Sequence, residues 1–335
     1  MKIAVLDDYQ QVVKLLSCYS LIQDFDVQVF CDKFQSPNDL IHHLKGFDAL
    51  VLTRERTEIS ASILKMLPNL KVISQTGRPG EHIDASYCTD NGIAILAGSG
   101  SPIAPAELTW ALVMCAQKRL NVYMQSLLSG QWQSSKNLKN NKLNFPRSLN
   151  GKTLGIFGLG KIGSLVAKYG LAFGMDVLVY GLESSKNKAQ EMGYRFAASQ
   201  QQLFEQSDVL SLHLRLNKNT SEIVKLSDLE SMKRDSILVN TSRSKLIEEF
   251  SIERCLQENR GPHVFALDVF EQEPLLDNLQ WLDVSRVVAT PHIGFVELNS
   301  FELYYQTAFR NLIEFKSGNY TSVFNSEVIS KLGIS

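Results

Sequence analysis

The stretch Thr153-Leu154-Gly155-Ile156-Phe157-Gly158-Leu159-Gly160-Lys161-Ile162-Gly163 decides the fold. It reads as a short apolar strand, a glycine turn and the start of a helix. Gly158 allows the tight turn, Gly160 leaves room for a pyrophosphate to approach the backbone, and Gly163 lets the helix pack close to the strand. Phosphates would sit on the unsatisfied N–H groups at the helix N-terminus, which adds Lys161 and Ile162 to the three glycines as candidate contacts. A helical stretch over 162–173 and a second apolar strand, Asp176–Tyr180, follow, so the context that this spacing requires is present. A dinucleotide site usually carries an acid at the end of that second strand. Gly181 stands there instead. Glu183, two residues on, either accepts from the ribose hydroxyls or is a solvated turn acid. No arginine stands at the turn to take a 2′-phosphate, although Lys186 is near, so the reading leans to NAD over NADP.

The same grammar extends in both directions. Short apolar runs at 3–6, 27–30, 49–53, 72–75 and 93–97 precede the glycine loop, and runs at 209–213, 237–240, 264–267 and 287–289 follow it. Such runs suit strands buried on both faces of a parallel sheet. Helical stretches separate them. Ser36 followed by Pro37 marks one start, Ser60 caps a stretch ending at Leu67 before Pro68, and 247–258 reads as another. The alternation predicts an α/β chain with two doubly wound parallel-sheet domains. A long apolar helix over about 105–120 and a polar loop over 129–151 lie between them. In a last helix over 300–315, Phe301, Tyr305, Ala308, Leu312 and Phe315 fall on one face. That helix is expected to return to the first domain. The expected division is therefore 1–100 with 295–335, and a nucleotide domain of 101–294.

Ligands of open α/β sheets bind beyond the carboxyl ends of the strands. Four polar segments lie at such ends: Asn240-Thr241-Ser242-Arg243, Ala266-Leu267-Asp268-Val269-Phe270, Glu273-Pro274 and Thr290-Pro291-His292-Ile293-Gly294. An arginine, a carboxylate and a histidine there suit hydride exchange at the carbon of a 2-oxo or 2-hydroxy acid. Arginine binds a carboxylate through two parallel hydrogen bonds, histidine moves the hydroxyl proton near neutral pH, and a carboxylate beside it favours and orients the charged ring. His213 reads as a strand-end residue near the cofactor rather than a catalyst. His42, His43, His82 and His263 carry no such signal, and Glu271 competes with Glu273 for the carboxylate role.

Composition excludes other classes. The 335 residues carry a net charge of −1 and are 44% hydrophobic, which is unlike a disordered chain. No basic field exists to collect nucleic acid. No apolar run approaches the roughly 18 residues that cross a bilayer, and the four apolar residues before Asp7 are too few for a signal sequence. The five cysteines include no CxxC pair, and no His, Cys, Asp or Glu pair has metal-ligand spacing. The expectation is a cytoplasmic protein with reduced thiols, no metal and no membrane or nucleic-acid partner.

The motifs together resemble the D-isomer-specific 2-hydroxyacid dehydrogenases. They are GLGKIG at Gly158–Gly163, LSLHLRL at 210–216, NTSR ending at Arg243, LDVFEQEP ending at Pro274, and TPHIG at 290–294. The resemblance implies a Rossmann nucleotide domain with a flavodoxin-like substrate domain, NAD as cofactor, a homodimer, and a small 2-oxo or 2-hydroxy acid as substrate. It implies catalysis by Arg243, Glu273 and His292, with Arg243 also holding substrate, and cofactor contacts from His213, Thr241 and Asp268, the last at the nicotinamide carboxamide. It also places a substrate loop at Gln75–Asp84. There Arg78 and Pro79 stand where small or aliphatic residues and a second glycine are usual. Pro79 has no N–H to offer a carboxylate. Arg78, with Gly80, is then the candidate substrate contact and points to a larger or more acidic substrate than pyruvate, unless Arg78 faces solvent. The segment 97–107 departs too, with Gly-Ser-Gly-Ser-Pro in place of an Asn-x-Pro-Gly stretch. A second class stays open: a dinucleotide-sensing interaction protein on the same scaffold, similar to the C-terminal-binding corepressors, which share these residues.

Overall fold

A computed structural model of the chain describes residues 1–133, 142–277 and 279–332. The polar loop read over 129–151 therefore lies partly outside the described residues. The chain divides into two compact units, Met1–Ser101 with Val296–Ser335, and Pro102–Phe295.

The first unit is built on five parallel strands, β1 (Lys2–Val5), β2 (Asp26–Val29), β3 (Ala49–Leu52), β4 (Val72–Gln75) and β5 (Ala94–Ala97). Their order is β2-β1-β3-β4-β5, the flavodoxin-like arrangement. Three α-helices lie between these strands, α1 (Pro37–Leu44), α2 (Ala61–Leu64) and α3 (Ala85–Asp90). Ser36 accepts from the Asp39 N–H and Pro37 opens α1, a Ser-Pro start that stabilises the helix by satisfying an otherwise orphaned donor. Ser60 does not cap α2 with its side chain. Its hydroxyl instead lies 2.9 Å from that of Ser62, and the helix stops at Leu64, short of Leu67. Leu40, Leu50, Ile63, Ile73 and Ile95 lie in the core of one sheet face.

The second unit begins with α4 (Ile103–Lys118) and α5 (Leu120–Leu128). Helix α4 is the long helix expected over about 105–120; Arg119, at a left-handed φ of 57°, ends it, and α5 after it was not expected. The buried Arg119 guanidinium spans the carbonyls of Leu143, Asn144 and Ser285. Then follow β6 (Thr153–Phe157), α6 (Lys161–Ala172), β7 (Asp176–Tyr180), α7 (Glu183–Glu191), β8 (Arg195–Phe196), α8 (Gln200–Gln206) and β9 (Val209–Leu212). The unit closes with α9 (Leu226–Ser231), β10 (Ile237–Asn240), α10 (Ser251–Gln257), β11 (Val264–Leu267) and β12 (Val287–Ala289). The expected helix over 247–258 is shorter, because Phe250 at φ 58° blocks its first turn. All seven strands are parallel, in the order β12-β11-β10-β9-β6-β7-β8. Six of them run in the Rossmann order, with the direction of winding reversing between β6 and β9. Helix α4 packs over β10 and β11, and Leu112, Val113, Ile156, Val166 and Val239 share one core. The fold class expected from the sequence, two doubly wound α/β sheets, is the one observed.

The last helix, α11 (Leu298–Lys316), packs on β4 and β5 of the first unit. Ser74 Oγ donates to the Ala308 carbonyl, Asn311 Nδ2 to that of Ala97, and Tyr305 Oη lies 2.7 Å from Thr53 Oγ1. Phe301, Tyr305, Phe309 and Leu312 are buried there. Each side chain of this size contributes about 1.5–3 kcal/mol over its exposed state, which holds the helix on the sheet. Among the described residues, no helix is long and apolar enough to cross a membrane.

Candidate active site

The glycine loop connects β6 to α6. Gly158 has φ 95°, and its N–H donates to the Tyr180 carbonyl. A Cβ there would meet the His213 carbonyl oxygen at 2.9 Å, so only glycine fits. Gly163 packs against the turn itself, since a Cβ would collide with the Gly158 carbonyl oxygen and approach Ile156 and His213. Gly160 is the opposite case: a Cβ at this position would meet nothing within 4 Å. The loop is therefore closed beneath and open at Gly160, where Lys161 and Ile162 begin α6. This arrangement fits a pyrophosphate on the helix N-terminus.

His213 lies under the loop, its Nε2 2.9 Å from Ser211 Oγ, and burial pushes its pKa down to about 4, so the ring is neutral at pH 7. At the end of β7, Gly181 lies close to Gly158, and Ser185 Oγ accepts the Leu159 N–H at 3.2 Å. Glu183 opens α7 with a side chain 72% exposed, 3.5 Å from Lys186 Nζ.

The second polar group follows β10, β11 and β12. His292 has φ 52°, a conformation that costs a non-glycine residue energy and is concentrated at functional sites. Its Nδ1 is 2.6 Å from Glu273 Oε2, and each side chain is 35% exposed. Glu273 Oε1 accepts the Phe270 N–H at 2.9 Å. Burial pushes the Glu273 carboxyl up, but the hydrogen bond and charge of His292, the Phe270 N–H and the charge of Arg243 outweigh it. The carboxyl lies below its ordinary range and is ionised at pH 7. With Nδ1–H donated to Glu273, Nε2 is the ring nitrogen that can exchange a proton.

Asp268 fixes this histidine. It is 1% exposed, and its two oxygens hold the turn that carries the ring. Oδ1 accepts from Thr290 Oγ1 at 2.6 Å and from the Ile293 N–H at 2.9 Å, and Oδ2 accepts the Gly294 N–H at 2.9 Å. Burial raises its pKa despite these bonds. Sequence reading linked Asp268 to cofactor and missed this clamp. The signal available was its place at a strand end, 22 residues before Thr290.

Arg243 follows β10. Asn240 holds the bend, its Nδ2 donating to the Arg243 carbonyl and its Oδ1 accepting the Ser242 N–H. Ser242 Oγ donates to the Leu212 carbonyl, tying the bend to β9. Arg243 Nη1 donates to the Ser242 carbonyl at 2.7 Å. Thr241 turns toward α4, its hydroxyl 2.6 Å from that of Thr109, which bonds the Pro105 carbonyl. Glu271, the competitor, is exposed, while Glu273 is the carboxylate on His292. Arg78 and Gly80 lie in the first unit, beyond β4; Arg78 is exposed, and Gly80 lies beside His82 and Glu55. Among the described residues, no group of three or more His, Cys, Asp or Glu residues could hold a metal ion.

Comparison with known proteins gives the family. A family model described as the NAD binding domain of D-isomer specific 2-hydroxyacid dehydrogenases matches residues 110–294. A glyoxylate reductase from Aeropyrum pernix is 32% identical over 96% of this chain and 94% of its own length. Among solved structures, a phosphoglycerate oxidoreductase from Vibrio cholerae superposes with a TM-score of 0.89 at 47% identity, over 95% of this chain and 99% of that one. A D-lactate dehydrogenase from Aquifex aeolicus, complexed with NAD and lactic acid, gives 0.79 at 26% identity, over 96% and 97%. The chain belongs to the D-isomer-specific 2-hydroxyacid dehydrogenase family.

Proposed function

We propose that the protein interconverts D-2-hydroxy acids and 2-oxo acids with a nicotinamide cofactor, using His292 as the proton-transfer residue. The observation that carries this reading is the 2.6 Å bond from His292 Nδ1 to an ionised Glu273, on a turn clamped by Asp268. Gly158, Gly160, Lys161, Ile162 and Gly163 would hold the pyrophosphate, with His213 and Thr241 flanking it. When bound, the nicotinamide supplies or accepts the hydride.

In the reducing direction, protonated His292 gives its Nε2 proton to the substrate carbonyl oxygen. Glu273 stabilises the imidazolium beforehand and keeps Nε2 aimed outward. Arg243 binds the substrate carboxylate through its guanidinium fork and polarises the carbonyl. In the oxidising direction neutral His292 takes the hydroxyl proton. Asp268 keeps one further lone pair on Oδ2 with which to meet a carboxamide N–H.

Of the two nicotinamide cofactors, we assign NAD(H). Glu183 is the first acid after β7, and its salt bridge to Lys186 offsets the charge that Lys186 would offer a 2′-phosphate. Helix α5 supports a homodimer: Leu120, Met124, Leu127 and Leu128 recur at helical spacing and are all exposed, Leu128 by 90%. An apolar stripe of this kind on a single chain fits an interface with a second copy. Five free cysteines agree with a reducing compartment such as the cytoplasm. The corepressor-like alternative gains no support from the relatives named above. Steady-state oxidation of NADH and NADPH with a panel of 2-oxo acids tests the assignment. Turnover with at least one acid, faster with NADH, is expected, and none with any acid would leave a dinucleotide sensor as the better reading.

A further inference from the structure

Strands β10 and β11 pair in register, Asn240 beside Leu267, so the residues that follow them, Thr241 and Asp268, leave the sheet side by side. Strand β10 stands two places from β6 in the sheet and β11 three, so this pair lies apart from the glycine loop. The first turns of α4 cover it. Thr109 Oγ1 is 2.6 Å from Thr241 Oγ1, and a Cβ on Gly294 would meet Asp268 Oδ2 at 3.1 Å and Pro105 and Leu108 at 3.8 Å each. All of these residues belong to one compact unit.

The hydroxyl pair has a fixed direction. Thr109 is fully buried, and its Oγ1 lies 2.7 Å from the Pro105 carbonyl, which can only accept. A hydroxyl has a single proton to donate. Thr109 spends it on Pro105, the i−4 bond open to a helical threonine. Its oxygen is then an acceptor for Thr241, whose proton points into α4 and whose lone pairs alone face outward. The N–H groups beside it are spent as well. That of Ser242 goes to Asn240 Oδ1, that of Asp268 to the Asn240 carbonyl, and those of Ile293 and Gly294 to Asp268. These strand ends therefore offer a ligand two acceptors, Thr241 Oγ1 and the remaining lone pair of Asp268 Oδ2. A primary amide nitrogen, with two N–H groups, matches such a pair, and a carbonyl oxygen does not.

We propose that Thr109 is a positioning residue for the cofactor: by taking the Thr241 proton it makes Thr241 an acceptor for one N–H of the nicotinamide carboxamide, while Asp268 takes the other. This rests on the nicotinamide reading above. Thr109 is buried and acts only through Thr241. Without its hydroxyl, the Thr241 proton loses its acceptor, turns outward and opposes the amide N–H.

The test is calorimetric titration of wild type, Thr109→Val, Thr109→Ser and Thr241→Val with NADH and with reduced 3-acetylpyridine adenine dinucleotide, whose ring carries a methyl ketone in place of the amide. Wild type should bind NADH about 10–100-fold more tightly, since the analogue brings no N–H to either acceptor. Thr109→Val should weaken NADH by about 5–30-fold and leave the analogue within about twofold, because the ketone accepts the released Thr241 proton. Thr109→Ser, which keeps the hydroxyl, should bind NADH within about twofold of wild type. Thr241→Val should show a selective loss of NADH as well. Should Thr109→Val not unfold cooperatively, Thr109→Cys, whose thiol is a weak acceptor, takes its place. Equal losses for both cofactors, no loss, or failure of Ser to restore NADH affinity would overturn the proposal and leave the hydroxyl pair a packing contact. Turnover separates this result from the parent reading. Selective loss in a protein that reduces no 2-oxo acid refutes the dehydrogenase reading alone, and equal losses in a protein that does reduce one refute the role of Thr109 alone.

Discussion

Replacing Asp268 by Asn separates the clamp on His292 from the chemistry of His292. The amide keeps one acceptor oxygen, which the two donors on the Oδ1 side, Thr290 Oγ1 and the Ile293 N–H, will claim. The NH2 group then faces the Gly294 N–H, which now bonds Oδ2 at 2.9 Å. One charge-assisted hydrogen bond is lost, about 1.5–3 kcal/mol, and two donors oppose each other in a buried place. The remaining two bonds weaken because their acceptor is neutral. Set against this, Asn avoids burying a charge, a cost visible in the raised pKa of Asp268. The net loss of stability should be modest, about 1–2 kcal/mol. The turn relaxes where it carries His292, and a shift of about 1 Å at a reacting group costs on the order of 10²-fold in rate. The expected result is kcat down by about 10–100-fold with the fold intact. The sign of the pH dependence adds a second readout. Because the folded pKa of Asp268 is raised, acidification protonates it earlier than an exposed Asp and removes the same acceptor. Wild type should therefore lose kcat as pH falls through that value, and Asp268→Asn should lack this limb. Steady-state kinetics across pH, with thermal unfolding alongside, provides the assay. A kcat within twofold of wild type and an unchanged profile would refute the clamp.

Three further outcomes are expected. Burial, with the charges of Arg119, Arg286, Arg147 and Arg234, holds His263 down at about 3, so the fold keeps it neutral while the unfolded chain protonates it below about 6.5. Its contribution is complete above about pH 6.5 and is lost progressively toward pH 3. His263→Gln should flatten the decline in unfolding free energy between pH 6 and about 4, and an unchanged slope would contradict this. Met124→Ser with Leu127→Ser on α5 should shift the protein toward monomer in analytical ultracentrifugation, whereas an unaltered mass would place the dimer contact elsewhere. NADH should bind more tightly than NADPH by fluorescence titration, with Lys186→Ala weakening NADPH alone; equal affinities would remove Glu183 as the selecting residue.

The sheets were legible because parallel strands buried on both faces are apolar throughout, as Val209–Leu212 and Ile237–Asn240 are. The two-residue edge strand β8, Arg195–Phe196, offers no such run and was missed. Helix α5 was missed for another reason. No Gly or Pro separates it from α4, and the left-handed turn between them is held by a buried guanidinium that meets carbonyls 24 to 166 residues away. At the site, residue types at strand ends were readable, and the His292–Glu273 pair is among them. What the chain does with Asp268 was not. It depends on hydrogen bonds between loops following neighbouring strands, Asp268 with the Thr290–Gly294 turn. Spacing along one segment carries no trace of it.

The most direct measurement is single-turnover hydride transfer by His292→Ala, with the NADH dissociation constant measured on the same preparation. Loss of general acid–base catalysis should slow the step by about 10²–10⁴-fold while NADH affinity stays within about twofold. Near-normal hydride transfer in His292→Ala would contradict the assignment of proton transfer to the His292–Glu273 pair.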